Sequence, residues 1–199
     1  MTSSLLHQRA LAEIAASGQV ARALKAGVPA PAFVLRDGHG HAVASALKVG
    51  QGPLALLFCC GAWCALCRAA TVALAADLPA IAAAGASALV IAPQIWATGG
   101  DGVTQLLDPG NRVGGSFGLR VASPDYLRAC EHDGALRAGT LHEKNGVLMP
   151  ARYVIDRGGV IVYAAIDPLH EGDNDPADLL GVIQCKARRR ASTTPLRAL

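Results

Sequence analysis

The chain has 199 residues, of which 52% are hydrophobic and 17% charged; this composition excludes disordered and collagen-like chains and fits one globular domain with a real core. Aromatic residues supply only 4%, too few for the stacking platforms of single-stranded nucleic-acid binders. The net charge of +3 is uneven: Lys186, Arg188, Arg189, Arg190 and Arg197 sit near the C-terminal end and leave the body slightly acidic, and so short a run reads as a solvated tail rather than a nucleic-acid arm.

Met1 to Lys25 mixes Arg9, Glu13, Arg22 and Lys25 among its apolar residues, so it lacks the continuous apolar stretch of a secretory signal. Leu5, Leu6, Leu11, Ile14, Val20 and Leu24 instead predict an amphipathic helix ending before Gly27 and Pro29. The expected organisation is therefore an N-terminal helical extension over 1–27, one domain over 28–185, and a disordered basic tail over 186–199. Phe33 to Leu35 and Ala42 to Leu47, flanking Asp37-Gly38-His39-Gly40, predict two short strands in a hairpin.

Pro53 to Cys60 is an uninterrupted apolar run between glycines, the pattern of a central parallel strand buried on both faces. Cys64 to Ala84 predicts a helix kinked at Pro79, and Ser87 to Ala92 a second buried strand, giving a right-handed strand–helix–strand crossover. Val72 to Ala92 is apolar enough to imitate a membrane span, but Asp77, Pro79 and Gly85 fit a helix followed by a strand better. No membrane association is expected.

Trp96 to Gly102 is too rich in glycine for a stable helix, which predicts a less covered sheet edge there. Asp108-Pro109-Gly110-Asn111 predicts a turn opening a short segment through Phe117, and 120–148 reads as a long irregular surface insertion. Tyr153 to Asp156 and Val160 to Ile166 predict a hairpin around Arg157-Gly158-Gly159. Pro176 to Lys186 predicts a closing helix with Asn174 or Asp175 near its N-cap. With neither a secretory signal nor a membrane span read in the sequence, a cytoplasmic location is expected, where six cysteines point to redox or metal chemistry rather than to structural disulfides.

Cys64 and Cys67 stand three apart where the buried strand hands over to the helix. Alpha carbons at that spacing in a first helical turn lie about 5–5.5 Å apart, within reach of a disulfide. The helix N-terminus, aided by Arg68, stabilises a thiolate there. The rival reading takes Cys59, Cys60, Cys64 and Cys67 as four thiolates for zinc or an iron–sulfur cluster. Adjacent strand residues point to opposite faces, so only one of Cys59 and Cys60 faces the site, and packing is the better reading for that pair taken alone. Redox chemistry is the favoured reading of Cys64 and Cys67.

Four motifs occur in order: Phe58-Cys59-Cys60-Gly61-Ala62-Trp63-Cys64-Ala65-Leu66-Cys67; Ile91-Ala92-Pro93-Gln94; Asp108-Pro109-Gly110-Asn111 with Phe117-Gly118-Leu119; and Pro150-Ala151-Arg152-Tyr153-Val154-Ile155-Asp156-Arg157-Gly158-Gly159. Together they resemble the peroxiredoxin-like branch of the alkyl hydroperoxide reductase and thiol-specific antioxidant (AhpC/TSA) family, over about Val28 to Gln184. The resemblance implies an α/β thioredoxin-like fold, a mixed sheet of about five strands flanked by helices. It implies a thiol-dependent oxidoreductase that reduces peroxides or disulfides, with a thioredoxin-like protein or glutathione as reductant and with a homodimer as one assembly. No cofactor and no metal is called for.

Within the resemblance, Cys67 stands where peroxiredoxins keep the peroxidatic cysteine and Cys64 where they keep a threonine, whereas thioredoxins use the first cysteine after the tryptophan, here Trp63 and Cys64. Cys60 replaces the family's upstream proline. Pro150 replaces an arginine and matches the cis-proline that thioredoxins pack beside their cysteines, and Arg152 lies two residues further on. The candidate catalytic residues are thus Cys64, Cys67, Trp63, Pro150 and Arg152, with the attacking thiol left open between Cys64 and Cys67. Two donors missing from their usual places predict slow peroxide reduction with thiol–disulfide exchange retained.

Cys130, Glu131, His132, Asp133 and His142 match no strong ligand spacing and read as a solvated loop, although Cys130 could serve as a resolving thiol. Gly99-Gly100 and Gly114-Gly115 form no phosphate-binding pattern, and no serine elbow occurs. The alternative functions are a non-catalytic metal-binding domain and a thioredoxin-fold interaction module.

Overall fold

A computed structural model describes residues 3–96, 102–122, 124–132, 146–168 and 176–193. Its centre is a seven-stranded mixed sheet in the order β2-β1-β5-β4-β3-β8-β9. The strands are β1 (Val34–Asp37), β2 (Ala42–Ala44), β3 (Leu54–Phe58), β4 (Ser87–Ala92), β5 (Gln105–Leu107), β8 (Ala151–Ile155) and β9 (Ile161–Ile166), and β6 (Arg120–Val121) pairs with β7 (Val147–Leu148) in a separate ribbon. β3 and β4 run parallel, and every residue of β3 is buried, as the apolar run predicted. Antiparallel β8 flanks β3 on the other side.

The helix α4 (Ala65–Ala83) connects β3 to β4 and packs, with the closing helix α7 (Ala177–Thr193), on one face of the sheet. α4 is long and apolar enough to cross a membrane by length and composition. Here Cys67, Ala70, Thr71, Leu74 and Ile81 form its buried side. On the opposite face Phe58, Phe117 and Tyr153 form an aromatic cluster with ring centroids 4.9–5.9 Å apart. These tilted and edge-on arrangements add to the stabilisation from the area that the rings bury. This cluster anchors the sheet to α5 (Arg112–Ser116), and the Tyr153 hydroxyl donates to the Leu24 carbonyl at 3.3 Å.

Several expectations are corrected. The predicted strand over Ala42 to Leu47 stops at Ala44, where α3 (Ser45–Gln51) begins, and the Ser45 hydroxyl accepts from Phe33 N–H at 2.9 Å. The N-terminal helix is two helices, α1 (Ser3–Ser17) and α2 (Gln19–Arg22), because Gly18 takes a left-handed φ of 64° between them. β5 is an unpredicted strand between β1 and β4, so the sheet does not end there and has seven strands rather than about five. Residues 97–101 of the Gly-rich link lie outside the described residues.

The supposed irregular insertion contains α6 (Pro124–His132), which packs on α1. Glu13 accepts the Asp125 N–H at 2.8 Å, and the Tyr126 hydroxyl donates to the Pro168 carbonyl at 2.8 Å. These long-range contacts hold a segment whose own composition reads as loop. α7 runs through Thr193, past the expected end at Lys186, so the first residues of the supposed disordered tail are helical. Its alanine, lysine and arginine residues are good helix formers. Residues 194–199 and the proposed N-caps Asn174 and Asp175 lie outside the described residues.

Candidate active site

β3 delivers the chain to the site at its C-terminal end. Cys59 N–H still donates to the Ile91 carbonyl at 2.9 Å, and the backbone then turns through Gly61 to Trp63 into α4. The indole of Trp63 lies against Gly61: a Cβ there would come within 2.5 Å of Nε1. Arg68 closes the turn from the helix side, its guanidinium donating to the Ala62 carbonyl at 2.5 Å.

Cys64 is the N-cap of α4, and its Sγ accepts the backbone N–H of Cys67 at 3.3 Å. A thiol sulfur therefore occupies the place of the usual capping oxygen and receives one of the free N–H groups of the helix end. The partial positive charge of that end faces the Cys64 sulfur. Cys64 is 7% exposed and Cys67 1%, so Cys64 is the more approachable of the two.

The pleat separates Cys59 from Cys60 as expected. Cys59 Sγ lies 3.9 Å from both the Cys67 carbonyl and Thr71 Oγ1, beneath α4. Cys60 Sγ lies 3.5 Å from Cys67 Sγ. Cys60, Cys64 and Cys67 thus form a buried group whose three sulfurs all fall within 4.8 Å of one another. Burial pushes the Cys59 and Cys60 thiols well up; the contact with Cys67 adds to this for Cys59, and those with Cys64 and then Cys67 for Cys60. Both thiols therefore give up their protons less readily than an exposed cysteine.

Of the predicted site residues, the structure brings together Trp63, Cys64 and Cys67. Arg152 goes elsewhere: it stands opposite Leu57 on β8 and ion-pairs with Asp178 of α7 through Nη2 at 2.9 Å and Nε at 3.0 Å. The Tyr163 hydroxyl hydrogen-bonds to the same carboxylate. Pro150 follows a trans peptide bond, not the cis bond that thioredoxin likeness led one to expect. Met149 N–H donates to the Leu119 carbonyl at 2.8 Å and Asp167 N–H to the Pro150 carbonyl at 3.0 Å, an extended run in which a trans bond continues the strand direction. Pro150 still enters β8 at the same end of the sheet as Cys59 and Cys60, since the next residue, Ala151, pairs with Phe58.

Cys60 is the residue that sequence reasoning assigned to packing and that the structure puts in the thiol group. Strand parity limited the choice to Cys59 or Cys60, and the direction of the turn into α4 decided it. The side chains of Cys130, Glu131 and His132, together with Asp133 and His142, lie outside the described residues. Asp108, at the end of β5, is buried and accepts the N–H groups of Arg112, Val113 and Gly114 at 2.9–3.1 Å. It fixes the turn that carries Phe117 into the aromatic cluster under β3.

The AhpC/TSA family model matches residues 26–164, ending short of α7 and of the Gln184 limit expected from the motifs. No curated sequence matches the chain. Three solved structures share its fold at low identity. Peroxidoxin BcpB from Mycobacterium tuberculosis is 17% identical with a TM-score of 0.62, over 81% of this chain and 97% of its own. The reduced 2-Cys peroxiredoxin of Plasmodium vivax is 15% identical with a TM-score of 0.65, over 88% and 89%. Thioredoxin peroxidase I of Plasmodium yoelii is 16% identical with a TM-score of 0.60, over 88% and 97%.

Proposed function

The chain belongs to the AhpC/TSA family, and on that premise we propose that it is a dithiol oxidoreductase in which Cys64 attacks, Cys67 resolves, and disulfides are better substrates than peroxides. The observation that carries this reading is the capping contact: the Cys67 N–H on Cys64 Sγ, at the start of a 19-residue helix.

With a disulfide substrate, the Cys64 thiolate attacks one sulfur, the substrate S–S bond breaks, and one thiolate leaves with the electron pair. Cys67 then loses its proton and attacks Cys64 Sγ, releasing the second substrate thiolate and forming the Cys64–Cys67 disulfide. With a hydroperoxide, Cys64 takes the terminal oxygen as a sulfenic acid, the alcohol departs, and attack by Cys67 releases water. A dithiol protein restores both thiols; a structural neighbour named as a thioredoxin peroxidase supports a thioredoxin-type donor, and glutathione is the second choice. Such a cycle suits a reducing compartment such as the cytoplasm.

The preference for disulfides rests on the surroundings of the thiols. Cys64 and Pro150 stand where peroxiredoxins place a hydroxyl and a guanidinium, and Arg152 is engaged by Asp178. Removing one such donor typically slows a reaction by about 10²–10³. Steady-state turnover of hydrogen peroxide, an organic hydroperoxide and a protein disulfide by one preparation tests the proposal. Faster turnover of either peroxide than of the disulfide contradicts it.

A further inference from the structure

We propose that the reduced protein binds one Cu(I) ion through the sulfurs of Cys60, Cys64 and Cys67. The site is the one assigned redox chemistry above, but the inference rests on the sulfur geometry and not on that assignment. All three sulfurs lie within 4.8 Å of one another and one pair is 3.5 Å apart. A metal–thiolate bond of about 2.3 Å puts the sulfurs of a planar three-coordinate ion about 4.0 Å apart, so small side-chain rotations seat an ion at the centre.

The residues come from two rigid elements. Cys60 ends the extension of β3, and Cys64 and Cys67 are the cap and first turn of α4. All three are buried, giving a dry all-sulfur environment, and soft thiolate sets select Cu(I), zinc and iron–sulfur clusters among biological metals. Structural zinc takes four ligands, whereas among the described residues this group has three, a number that suits Cu(I). Cys59, the fourth thiol of the sequence reading, faces Thr71 and takes no part.

Charge is managed by the same helix end that serves the thiolate. Binding exchanges up to three thiol protons for one cation, with no electron transferred, and leaves a net negative cluster. The N-terminus of α4 and Arg68 oppose that charge. The role of Cys60, which the two-cysteine cycle leaves unused, is thereby accounted for.

The test uses the full chain carrying Cys130→Ser and Cys185→Ser, reduced and anaerobic, titrated with Cu(I) against a chromogenic Cu(I) chelator. The expected result is one Cu(I) per chain, with an X-ray absorption shell of three sulfurs at about 2.3 Å. Cys60→Ser should weaken binding by more than the about 10–100-fold typical of changes outside the ligand shell. Cys64→Ser should do the same and keeps a good N-cap, so it remains folded if Cys60→Ser does not. Absence of binding, a two-sulfur shell, or undiminished affinity in either folded variant overturns the proposal. Because metal binding is the readout, failure here leaves the oxidoreductase reading untouched.

Discussion

The backbone N–H of Cys67 points at Cys64 Sγ, 3.3 Å away, so the first cysteine of the pair caps the helix with its sulfur and the second supplies the N–H that it accepts. The two thiols are thus held at a helix end, one at the cap and the other within the first turn.

Mild oxidation of the reduced protein should therefore remove two hydrogens per chain, localised by digestion to the peptide holding Cys64 and Cys67. Cys67→Ser should abolish this intramolecular bond. If both thiols stay alkylatable after oxidation, the redox reading fails.

Asp178→Ala should destabilise the protein without altering its thiol chemistry. It removes the carboxylate that pairs with the Arg152 guanidinium, whose side chain is 8% exposed, whereas Asp178 itself is 28% exposed. We expect a loss of about 3 kcal/mol, the lower end for breaking a buried pair. Urea unfolding measures the loss, and a single-turnover assay on the folded variant should show an unchanged rate. A rate collapse at unchanged stability would return Arg152 to the active site.

Alkaline pH should destabilise the reduced protein through Cys59 and Cys60. Burial raises both thiols in the folded state, while in the unfolded chain they ionise near pH 8.5. The stability they contribute is full below that pH and declines as pH rises, because the unfolded state then binds fewer protons. The slope should reach about 1.4 kcal/mol per pH unit for each thiol, or about 2.7 for the two. Urea midpoints from pH 8 to 10 under reducing conditions check this, and Cys60→Ala should reduce the slope.

Asp108→Ala removes three backbone hydrogen bonds from a buried carboxylate. The expected cost is about 2–3 kcal/mol, or a melting-temperature drop of about 5–10 °C for a chain of this size. A shift under 2 °C would show that the turn before α5 does not depend on this cap.

Fold and site were legible in the sequence to different degrees. The residues of β3, β4 and the β8–β9 hairpin carry enough apolar pattern to be read directly, and the β3–α4 junction follows from where that pattern changes. β5, with three residues, is too short to show a period and exists because β1 and β4 hold it between them. α6 depends on Glu13 and Pro168, residues far away in the chain, which no local reading supplies. In the site, Cys64 and Cys67 were legible because spacing and helix start are local properties. The contact of Cys60 with Cys67 and the capture of Arg152 by Asp178 are decided by tertiary packing. The trans bond before Pro150 shows the limit of transferring one residue's geometry from a related pattern.

The central claim is that Cys64 attacks and Cys67 resolves. Stopped-flow oxidation of the reduced protein by a small-molecule disulfide, with wild type, Cys64→Ser and Cys67→Ser run side by side, tests it most directly. The account predicts that Cys64→Ser loses the fast phase while Cys67→Ser keeps it and accumulates a mixed disulfide at Cys64. A fast phase that survives in Cys64→Ser and disappears in Cys67→Ser would contradict it.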